Sequence, residues 1–194
     1  EVIVIGAGPA GEVAAGRLAD DGLKVVVVEN HLVAGECSYY ACMPSKALLR
    51  PGDLIDEARR IPGVKEAVTG DIDVASALAR RDEVIHNLDD SVQLPWLDDK
   101  GIQLVRGSGR LTGEKTVSTD EHEITASRAV VISTGTRPAM PPIDGLADSS
   151  PWNNRDATTA NKAPASMLVL GGGPVGVELA QALASLGTDV TLID

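Results

Sequence analysis

Apolar runs with few polar interruptions mark three strands along the chain. Residues 2–5, 24–28 and 129–133 consist mainly of Val, Ile and Ala. Strands that are apolar at nearly every position are typical of a parallel sheet that is covered on both faces. We therefore predict that these three strands lie in one parallel sheet, within a three-layer α/β fold over residues 1–148.

Two helices are predicted between the second and the third of these strands. Residues 42–50 have a helical pattern in which Pro44 occupies the first turn, and Pro51 is predicted to end the helix. Residues 73–94 carry apolar side chains at helical spacing, at Val74, Leu78, Ile85, Leu88 and Val92. This spacing predicts one helix with a single buried stripe over the whole range.

The chain changes character twice after these helices. Residues 102–125 form short strand-like pieces separated by glycines, a pattern typical of a small antiparallel meander. Residues 138–166 carry five prolines and many Asn, Asp, Ser and Thr residues, which predicts a linker. We therefore expect a first domain over residues 1–148 and the start of a second domain over residues 149–194.

An internal repeat connects the two ends of the chain. Residues 6–29 align without a gap on residues 171–194, with nine identical positions. Each copy follows a short apolar strand and has glycine at its first, third and sixth positions. A helical pattern and a second apolar strand come next, and an acid ends the copy. These residues are Gly6, Gly8, Gly11 and Glu29 in the first copy, and Gly171, Gly173, Gly176 and Asp194 in the second.

This spacing has a specific function in dinucleotide-binding folds. The first glycine forms the tight turn from strand to helix, the second lets the backbone approach a pyrophosphate, and the third lets the helix pack close to the strand. Pro9 and Pro174 suit the first helical turn, and the unpaired amides there favour a phosphate group. The closing acid can accept hydrogen bonds from ribose hydroxyls. Two complete copies predict two dinucleotide sites, one for a flavin and one for a nicotinamide.

The charge of the chain excludes some classes of partner. A formal net charge of −11 at pH 7 disfavours nucleic acids and anionic membrane surfaces. No apolar run approaches the ~18 residues of a membrane span, and the first residues lead directly into a strand rather than a signal peptide. We therefore expect a cytoplasmic protein that contacts neither nucleic acid nor membrane.

The two cysteines of the chain, Cys37 and Cys42, lie close together. A structural disulfide between them would close a loop too short to restrain much of the unfolded chain. A metal site would lack further ligands, because the three histidines are not at ligand spacing. A redox pair is favoured over these two alternatives, since Cys42 lies at a predicted helix start that stabilises a thiolate, and Lys46 lies one turn further on.

Taken in order along the chain, these motifs resemble the pyridine nucleotide–disulfide oxidoreductases, a family that includes dihydrolipoamide dehydrogenase, glutathione reductase and mercuric reductase. The shared features are the flavin-type glycine motif, the run C-x4-C-x-P-S-K, a strand that ends in Thr-Gly, and the second dinucleotide motif. The resemblance implies FAD on the first copy and NAD(P)H on the second. NAD is expected rather than NADP, because the charge of Asp194 would repel a 2′-phosphate.

The resemblance also implies an enzyme and its electron path. Electrons would pass from the nicotinamide through the flavin to a Cys37–Cys42 disulfide, and then to a small-molecule acceptor of the disulfide type or a related one. Cys42 would be the thiol nearest the flavin, and Cys37 the interchange thiol. Lys46 resembles the family lysine beside the reactive flavin nitrogen, and Glu178 resembles its partner, so we expect their charged atoms within salt-bridge distance.

Seventeen positions are expected to bind the two cofactors. They belong to the two glycine motifs and their closing acids, to the loop before the cysteines, and to positions that match the family along the first domain. They are Gly6, Gly8, Pro9, Ala10, Gly11, Glu29, Asn30, Gly35, Glu36, Gly109, Thr134, Gly135, Gly171, Gly173, Val175, Gly176 and Asp194.

The sequence departs from the family beside the thiols and in length. Residues 38–41 read Ser-Tyr-Tyr-Ala where the family usually has Asn and, before the second cysteine, Gly, and Glu36 replaces a usual Thr. The acceptor therefore stays open among lipoamide, low-molecular-weight thiol disulfides, Hg(II) and quinones. Family members continue with the rest of the nicotinamide domain and a dimerisation domain, so we expect an amino-terminal part of a homodimeric enzyme that is inactive alone.

Two other functions stay open on the sequence. One is a dinucleotide-binding scaffold or sensor in which the cysteines are not catalytic. The other is a flavoprotein monooxygenase, which would share the first glycine motif but would leave both cysteines without a role.

Overall fold

The computed structural model describes residues 1–194. The strands are β1 (Val2–Ile5), β2 (Val25–Glu29), β3 (Gln103–Arg106), β4 (Arg110–Gly113), β5 (Thr116–Ser118), β6 (Glu123–Thr125), β7 (Ala129–Ile132), β8 (Ser166–Leu170) and β9 (Asp189–Ile193). The α-helices are α1 (Pro9–Asp20), α2 (Gly35–Tyr39), α3 (Cys42–Arg60), α4 (Val74–Val84), α5 (Leu94–Asp99), α6 (Asn154–Thr159) and α7 (Pro174–Ser185). None of these helices combines the length and the apolar character needed to cross a membrane.

The chain forms two compact units. The first comprises residues 1–37 and 88–137, and the second comprises residues 38–87 and 138–194. The predicted domain division at residue 149 stays a prediction, because a compact unit and a functional domain are different divisions of a chain.

The first unit is built on a four-stranded parallel sheet. Its strand order is β3-β2-β1-β7, and each neighbouring pair is parallel. All four residues of β1 are buried, because successive side chains enter apolar clusters on opposite faces of the sheet. The predicted parallel sheet and the α/β fold class are therefore confirmed.

A tryptophan completes one of these apolar clusters. Trp96, on α5, packs against the cluster that contains Val2, Val4 and Val27. Its ring lies 3.1 Å from the position that a Cβ on Gly16 would occupy. Helix α1 therefore approaches the ring closely because Gly16 has no side chain.

The segment 102–125 differs from the predicted meander at its start. Strand β3 pairs in parallel with β2 and forms an edge of the parallel sheet, whereas β4, β5 and β6 form the antiparallel meander. The prediction is therefore wrong for residues 103–106. The physical reason is burial, because Val105 enters one of the apolar clusters of the parallel sheet.

The second unit combines helices with a two-stranded parallel sheet. Strands β8 and β9 pair along their whole length, and α7 connects them. Its apolar cluster joins α3, α4 and α7 through residues such as Leu48, Leu78 and Ala182. The predicted strand–helix–strand start of a second dinucleotide-binding fold is therefore confirmed.

Helix α3 continues past Pro51, so the prediction that this proline ends the helix is wrong. Proline has no N–H and leaves the carbonyl four residues earlier, that of Ala47, without its helical partner. The Arg80 guanidinium of α4 donates a hydrogen bond to this carbonyl, with an Nη1–O distance of 3.4 Å. Leu48 is fully buried against α4 and α7. These tertiary contacts offset a local cost of about 3 kcal/mol.

Helix α4 is shorter than the range predicted from residues 73–94. It ends at Val84, and residues 86–88 all have positive φ, between 51° and 62°. This left-handed conformation ends an α-helix of L-residues. The buried stripe is interrupted accordingly, because Ile85 is buried but Val92 is 45% exposed.

The segment predicted as a linker contains a short helix with a defined start. A capping box precedes α6: the Asn153 side chain accepts from the Arg155 N–H at 2.8 Å, and the Asp156 side chain accepts from the Asn153 N–H at 2.9 Å. Trp152, the residue before this box, is 48% exposed. The box therefore fixes the residue at which α6 begins.

Candidate functional site

The turn after β1 requires glycine at two positions of the first motif. Gly6 has φ +98°, and a Cβ there would lie 2.3 Å from the Ser133 carbonyl oxygen, just after β7. A Cβ on Gly11 would lie 1.9 Å from the Gly6 carbonyl oxygen. Backbone atoms cannot yield to such contacts in a close-packed turn. The start of α1 is therefore seated directly on the ends of the parallel strands.

Glu29, the acid that closes the first copy, is buried and holds two backbone donors. Its Oε2 accepts from the Ala7 N–H at 2.7 Å, and its Oε1 accepts from the His31 N–H at 2.7 Å. The carboxylate thereby fixes both the glycine turn and the loop after β2. Each oxygen has a further lone pair with which it can accept a ribose hydroxyl.

The second copy repeats this geometry, including one of the hydrogen bonds. Gly171 has φ +105°, and a Cβ on Gly176 would lie 2.2 Å from the Gly171 carbonyl oxygen. Asp194 Oδ1 accepts from the Gly172 N–H at 2.7 Å. The equivalent acid and amide of the first copy make the same bond. In both copies the closing acid therefore holds the glycine turn in shape.

Both helix starts fit the diphosphate of a dinucleotide. Gly8 and Gly173 are the N-cap residues of α1 and α7, and neither helix has a side chain that caps its amides. A Cβ on Gly173 would have no neighbour within 4 Å, and one on Gly8 would meet the Gly35 Cα at 4.0 Å. Open space beside uncapped amides is what a phosphate group needs. Pro9 and Ala10 follow in the exposed first turn of α1.

Three further predicted cofactor residues lie around the first glycine turn. Gly35 has φ +57°, and a Cβ there would lie 2.8 Å from the Gly8 Cα. The Thr134 nitrogen lies 3.2 Å from the position of a Cβ on Gly6, and Gly135 follows with φ +69°. The structure therefore brings the loop before the cysteines and the end of β7 together at this turn.

Gly109 and Asn30 have structural partners in the first unit. A Cβ on Gly109 would lie 3.0 Å from Ile5 Cγ2 and 3.2 Å from Val28 Cγ1, so the absence of a side chain permits packing on the sheet. Asn30 Nδ2 donates to Ser108 Oγ at 3.3 Å. These contacts join the loops that follow β2 and β3. Contact of either residue with a cofactor stays a prediction.

The two cysteines lie on successive helices. Cys37 is half-buried on α2, beside Glu36 in the first turn, and Cys42 is the exposed first residue of α3. The N-cap of α3, Ala41, makes no side-chain cap to the first-turn amides. The predicted helix start at Cys42 is therefore confirmed.

A cavity of about 210 Å³ lies in the second unit beside Cys42. Its wall combines the start of α3, the helix α6 and the start of α7, where Val175 is 60% exposed. The side chains that bring polar groups to it are Cys42, Ser45, Lys46, Asn154, Thr158 and Glu178. The structure therefore places a thiol, a lysine and an acid of the predicted site on one surface.

Lys46 and Glu178 form an ion pair on this surface. Lys46 Nζ lies 2.6 Å from Glu178 Oε1, and the side chains are 63% and 33% exposed. The predicted contact is therefore present, although 132 positions separate the two residues. The hydrogen bond from Lys46 holds the pKa of Glu178 below its ordinary value of 4.5, a bond from Ser45 acts in the same direction, and partial burial opposes both.

A close helix crossing supports the ion pair. A Cβ on Gly52, in α3, would lie 2.7 Å from the Ser185 Cβ at the end of α7. The ion pair joins the same two helices nearer to their starts. Two separate points of contact fix both the distance between the helices and their relative rotation. The position of the lysine beside the cavity therefore depends on Gly52 as well as on Glu178.

The ion pair is expected to contribute to the pH dependence of stability. A carboxyl whose pKa is lowered by folding stabilises the native state above its unfolded pKa, and this contribution is lost as the pH falls through its folded pKa. We expect Glu178→Gln to lower the free energy of unfolding by less than about 1 kcal/mol at pH 7, since the pair is largely exposed. Urea unfolding should show that this difference disappears as the pH falls below 4.5.

The control for this experiment is the same substitution in a Lys46→Met background. Without the lysine, the pH-dependent difference between glutamate and glutamine at position 178 should become smaller. A difference that stays constant between pH 7 and pH 3, or that is unchanged by Lys46→Met, would contradict the assigned cause.

Asn154, Thr158 and Arg81 were not identified from the sequence as part of this site. Asn154 and Thr158 line the cavity, and both have side-chain donors within reach of the Tyr40 carbonyl. Arg81 is 1% exposed and binds backbone carbonyls at the end of α6. The capping pattern before α6 was the one local signal of order in that segment. A buried arginine has no sequence pattern that distinguishes it from a solvated one.

Comparison with protein families gives a match over the whole chain. The family described as pyridine nucleotide-disulphide oxidoreductase matches residues 1–194. The dihydrolipoyl dehydrogenase of Haloferax volcanii is 32% identical over 200 residues, which cover 100% of this chain and 42% of that protein. The mercuric reductase of Staphylococcus aureus is 31% identical over 195 residues, which cover 100% of this chain and 35% of that protein.

Comparison with solved structures agrees with these relatives. The Cu(II) complex of the HOCl-induced flavoprotein disulfide reductase RclA from Escherichia coli matches with a TM-score of 0.82 and 25% identity. The match covers 100% of this chain and 41% of that one. The chain thus spans between about a third and two fifths of the length of these three proteins.

Proposed function

Because the chain belongs to the pyridine nucleotide-disulphide oxidoreductase family, we propose that its parent protein is an FAD-dependent enzyme that uses NADH to reduce a disulfide-type or related acceptor. The observation that carries the proposal is the surface on which Cys42, Lys46 and Glu178 meet, all three lining one cavity of the second unit. A dinucleotide-binding scaffold would not require a thiol, a lysine and an acid at one place.

The residues of the first copy fit the dinucleotide half of FAD. Gly8 offers open backbone at the start of α1 for the diphosphate, and Glu29 has carboxylate oxygens for the ribose. When bound there, FAD would supply the redox centre that accepts two electrons from a nicotinamide and donates them to the cysteine pair. The chain itself supplies the position of the thiols and the charges around them.

Cys37 and Cys42 are proposed to alternate between a disulfide and two thiols. Reduction breaks the S–S bond and consumes two electrons and one proton, which leaves Cys37 as a thiol and Cys42 as a thiolate. Cys37 then attacks the disulfide of the acceptor, forming a mixed disulfide, and its proton passes to the acceptor thiolate that is expelled. Attack by Cys42 on that mixed disulfide releases the second acceptor thiol and restores the cysteine disulfide.

Lys46 is proposed to hold a positive charge beside the reactive part of the flavin. Glu178 fixes the direction of the ammonium through a 2.6 Å contact. The helix crossing at Gly52 and Ser185 limits rotation of α3 against α7. A charge that is fixed before the reaction stabilises developing negative charge without reorganisation.

Titration of the full-length protein with NADH in the absence of oxygen tests the proposed function. We expect one equivalent of NADH to produce a long-wavelength absorbance from a Cys42 thiolate next to oxidised flavin. Cys42→Ser should abolish this absorbance, because it removes the thiolate. Cys37→Ser should show it before any NADH is added, because Cys42 can no longer form the disulfide. Flavin reduction without this absorbance in the wild type would exclude the cysteine pair from the reaction.

Asp194 is proposed to select NADH over NADPH. Its Oδ1 accepts from the Gly172 N–H at 2.7 Å. Its second oxygen would accept from a ribose hydroxyl, and its negative charge would repel a 2′-phosphate. We expect Asp194→Ser to reduce the ratio of kcat/KM for NADH over NADPH by about tenfold. Steady-state rates with both nucleotides measure this ratio.

The matched control for that substitution is Asp189→Ser, at the exposed start of the same strand. Asp189→Ser should leave the NADH to NADPH ratio unchanged. Preference for NADPH in the wild type would show that the assignment of Asp194 is wrong.

A further inference from the structure

Arg81 is a buried arginine that anchors the end of a neighbouring helix. Its guanidinium donates through Nη1 to the Thr158 carbonyl and through Nη2 to the Ala160 carbonyl at 2.8 Å, while Nε donates to Asp82 Oδ1 at 2.8 Å. Both carbonyls belong to the C-terminal end of α6, where a helix leaves its last carbonyls without helical partners. A planar guanidinium is suited to bind two such acceptors at once.

Helix α6 in turn holds the backbone of Tyr40. Asn154 Nδ2 donates to the Tyr40 carbonyl at 3.2 Å, and the Thr158 hydroxyl lies 3.1 Å from the same oxygen. This hydroxyl has one proton and also lies 2.8 Å from the Asn154 carbonyl, so the Asn154 amide is the principal donor. The Arg155 guanidinium lies 4.6 Å from the centre of the Tyr40 ring, a cation–π contact.

A single residue joins Tyr40 to Cys42. Ala41 is the N-cap of α3, and its carbonyl accepts the Ser45 N–H at 3.0 Å, the first hydrogen bond of the helix. Because a peptide bond is planar, fixing the Tyr40 carbonyl fixes the orientation of the whole Tyr40–Ala41 peptide group. No side chain caps this helix start. The position of the Cys42 thiol therefore depends on the contacts that α6 makes two residues earlier.

We propose that Arg81, Asn154 and Thr158 are positioning residues for the Cys42 thiol. Arg81 anchors the end of α6, α6 holds the Tyr40 carbonyl, and that carbonyl sets the direction in which α3 and its thiol begin. This inference deepens the proposed function, since it takes Cys42 as the reactive thiol. It concerns the reactivity of the thiol alone and needs neither flavin nor nicotinamide.

Alkylation of Cys42 by iodoacetamide tests the proposal in the full-length protein. In a Cys37→Ser background, mass spectrometry of the peptide that contains Cys42 gives its second-order rate constant. We expect Asn154→Ala to lower this rate constant by about tenfold, because loss of a partly buried donor shifts a conformational equilibrium by roughly that factor. Asn161→Ala, at an exposed position just after the same helix, is the matched control and should leave the rate constant unchanged.

Two further variants separate position from charge. Thr158→Val removes the hydroxyl at nearly constant volume, and Thr159→Val is its control, since the Thr159 hydroxyl donates within the helix to the Arg155 carbonyl at 2.7 Å. Arg81→Lys keeps the positive charge but cannot bind both carbonyls as a fork. We expect Thr158→Val and Arg81→Lys to slow alkylation, and Thr159→Val to have no effect.

Several outcomes would overturn the proposal. Rate constants in Asn154→Ala and Thr158→Val that match their controls, or that rise, would exclude the role of α6, and a native rate constant in Arg81→Lys would exclude that of Arg81. Thermal unfolding of each variant shows whether it is folded. If Arg81→Lys or Thr158→Val is unfolded, the comparison of Asn154→Ala with Asn161→Ala alone decides whether α6 positions the thiol. Slowed alkylation in Asn154→Ala together with an NADH titration that leaves the flavin oxidised would refute the proposed function but support the positioning role.

Discussion

Replacement of Lys46 by methionine is expected to slow the reduction of the bound flavin by NADH about 100-fold, the usual effect of removing one preorganised group from a reaction centre. Methionine is similar in length to lysine but lacks the charge that Glu178 holds at 2.6 Å. The flavin reduction potential is expected to fall as well, because a nearby cation favours the reduced, anionic ring. Stopped-flow absorbance gives the rate, and an equilibrium dye titration gives the potential.

Two variants show whether the charge of Lys46 causes this loss. Lys65→Met makes the same chemical change at a residue of the second unit that pairs with Glu66 at 3.7 Å, and it should reduce the flavin at the native rate. The double variant Lys46→Met, Glu178→Gln removes the acid that the single variant leaves unpaired. If flavin reduction is slow in the double variant as well, the loss of rate is due to the missing lysine and not to the unpaired acid. A native rate in Lys46→Met would refute the role of Lys46.

The largest effect on stability is expected for Gly11→Ala. Inside a helix this substitution normally stabilises by up to ~1 kcal/mol. Here the new Cβ would lie 1.9 Å from the Gly6 carbonyl oxygen and 2.9 Å from its carbon. Because both are backbone atoms of a tight turn, the helix must move, at a cost of about 3 kcal/mol. Urea or thermal unfolding of the variant measures this loss.

Gly8→Ala is the matched control within the same motif. Gly8 has φ −75°, and a Cβ there would meet the Gly35 Cα at an ordinary distance of 4.0 Å, so stability should change by less than about 0.5 kcal/mol. Its affinity for FAD should nevertheless fall, because the new methyl occupies the space beside the helix-start amides. Equal stability of the two variants would contradict the close contact at Gly11.

Local sequence patterns were sufficient wherever one segment forms its own contacts. Each glycine motif folds as a strand, a turn and a helix, because the residues that must meet are within six positions of one another. The closing acids Glu29 and Asp194 lie one strand further on, and they return to the turn in both copies. The repeat identified an acid at this position in both copies, but its hydrogen bond to the turn was not predicted from the sequence.

Local patterns failed where contacts with a distant part of the chain decide the structure. Pro51 would end α3 by its own chemistry, but Arg80 donates to the carbonyl that this proline leaves unpaired. Strand β3 has the short, glycine-bounded pattern of the meander that follows it, yet its pairing with β2 places it in the parallel sheet. In both cases the deciding partner lies about 30 or more positions away, beyond the range of a periodicity or turn signal.

In the candidate site, too, the motif residues were predictable from the sequence, whereas the distant contacts that support them were not. The family motif located Cys42, Lys46 and Glu178, which do meet on one surface. The contacts that hold this surface come from Arg81 and α6, and they consist of side chains that bind backbone carbonyls. A carbonyl is present at every position of a chain, so the sequence carries no mark of which ones are bound.

The distribution of the tryptophans has a consequence for spectroscopy. The chain has two, and each compact unit contains one of them. Trp96 packs against the apolar cluster of the first unit, whereas Trp152 is 48% exposed in the second. The former should emit at shorter wavelength than the latter, because its indole is less accessible to water. Variants that retain one tryptophan each would therefore act as separate optical reporters, able to resolve whether the two halves of the molecule melt together or in succession.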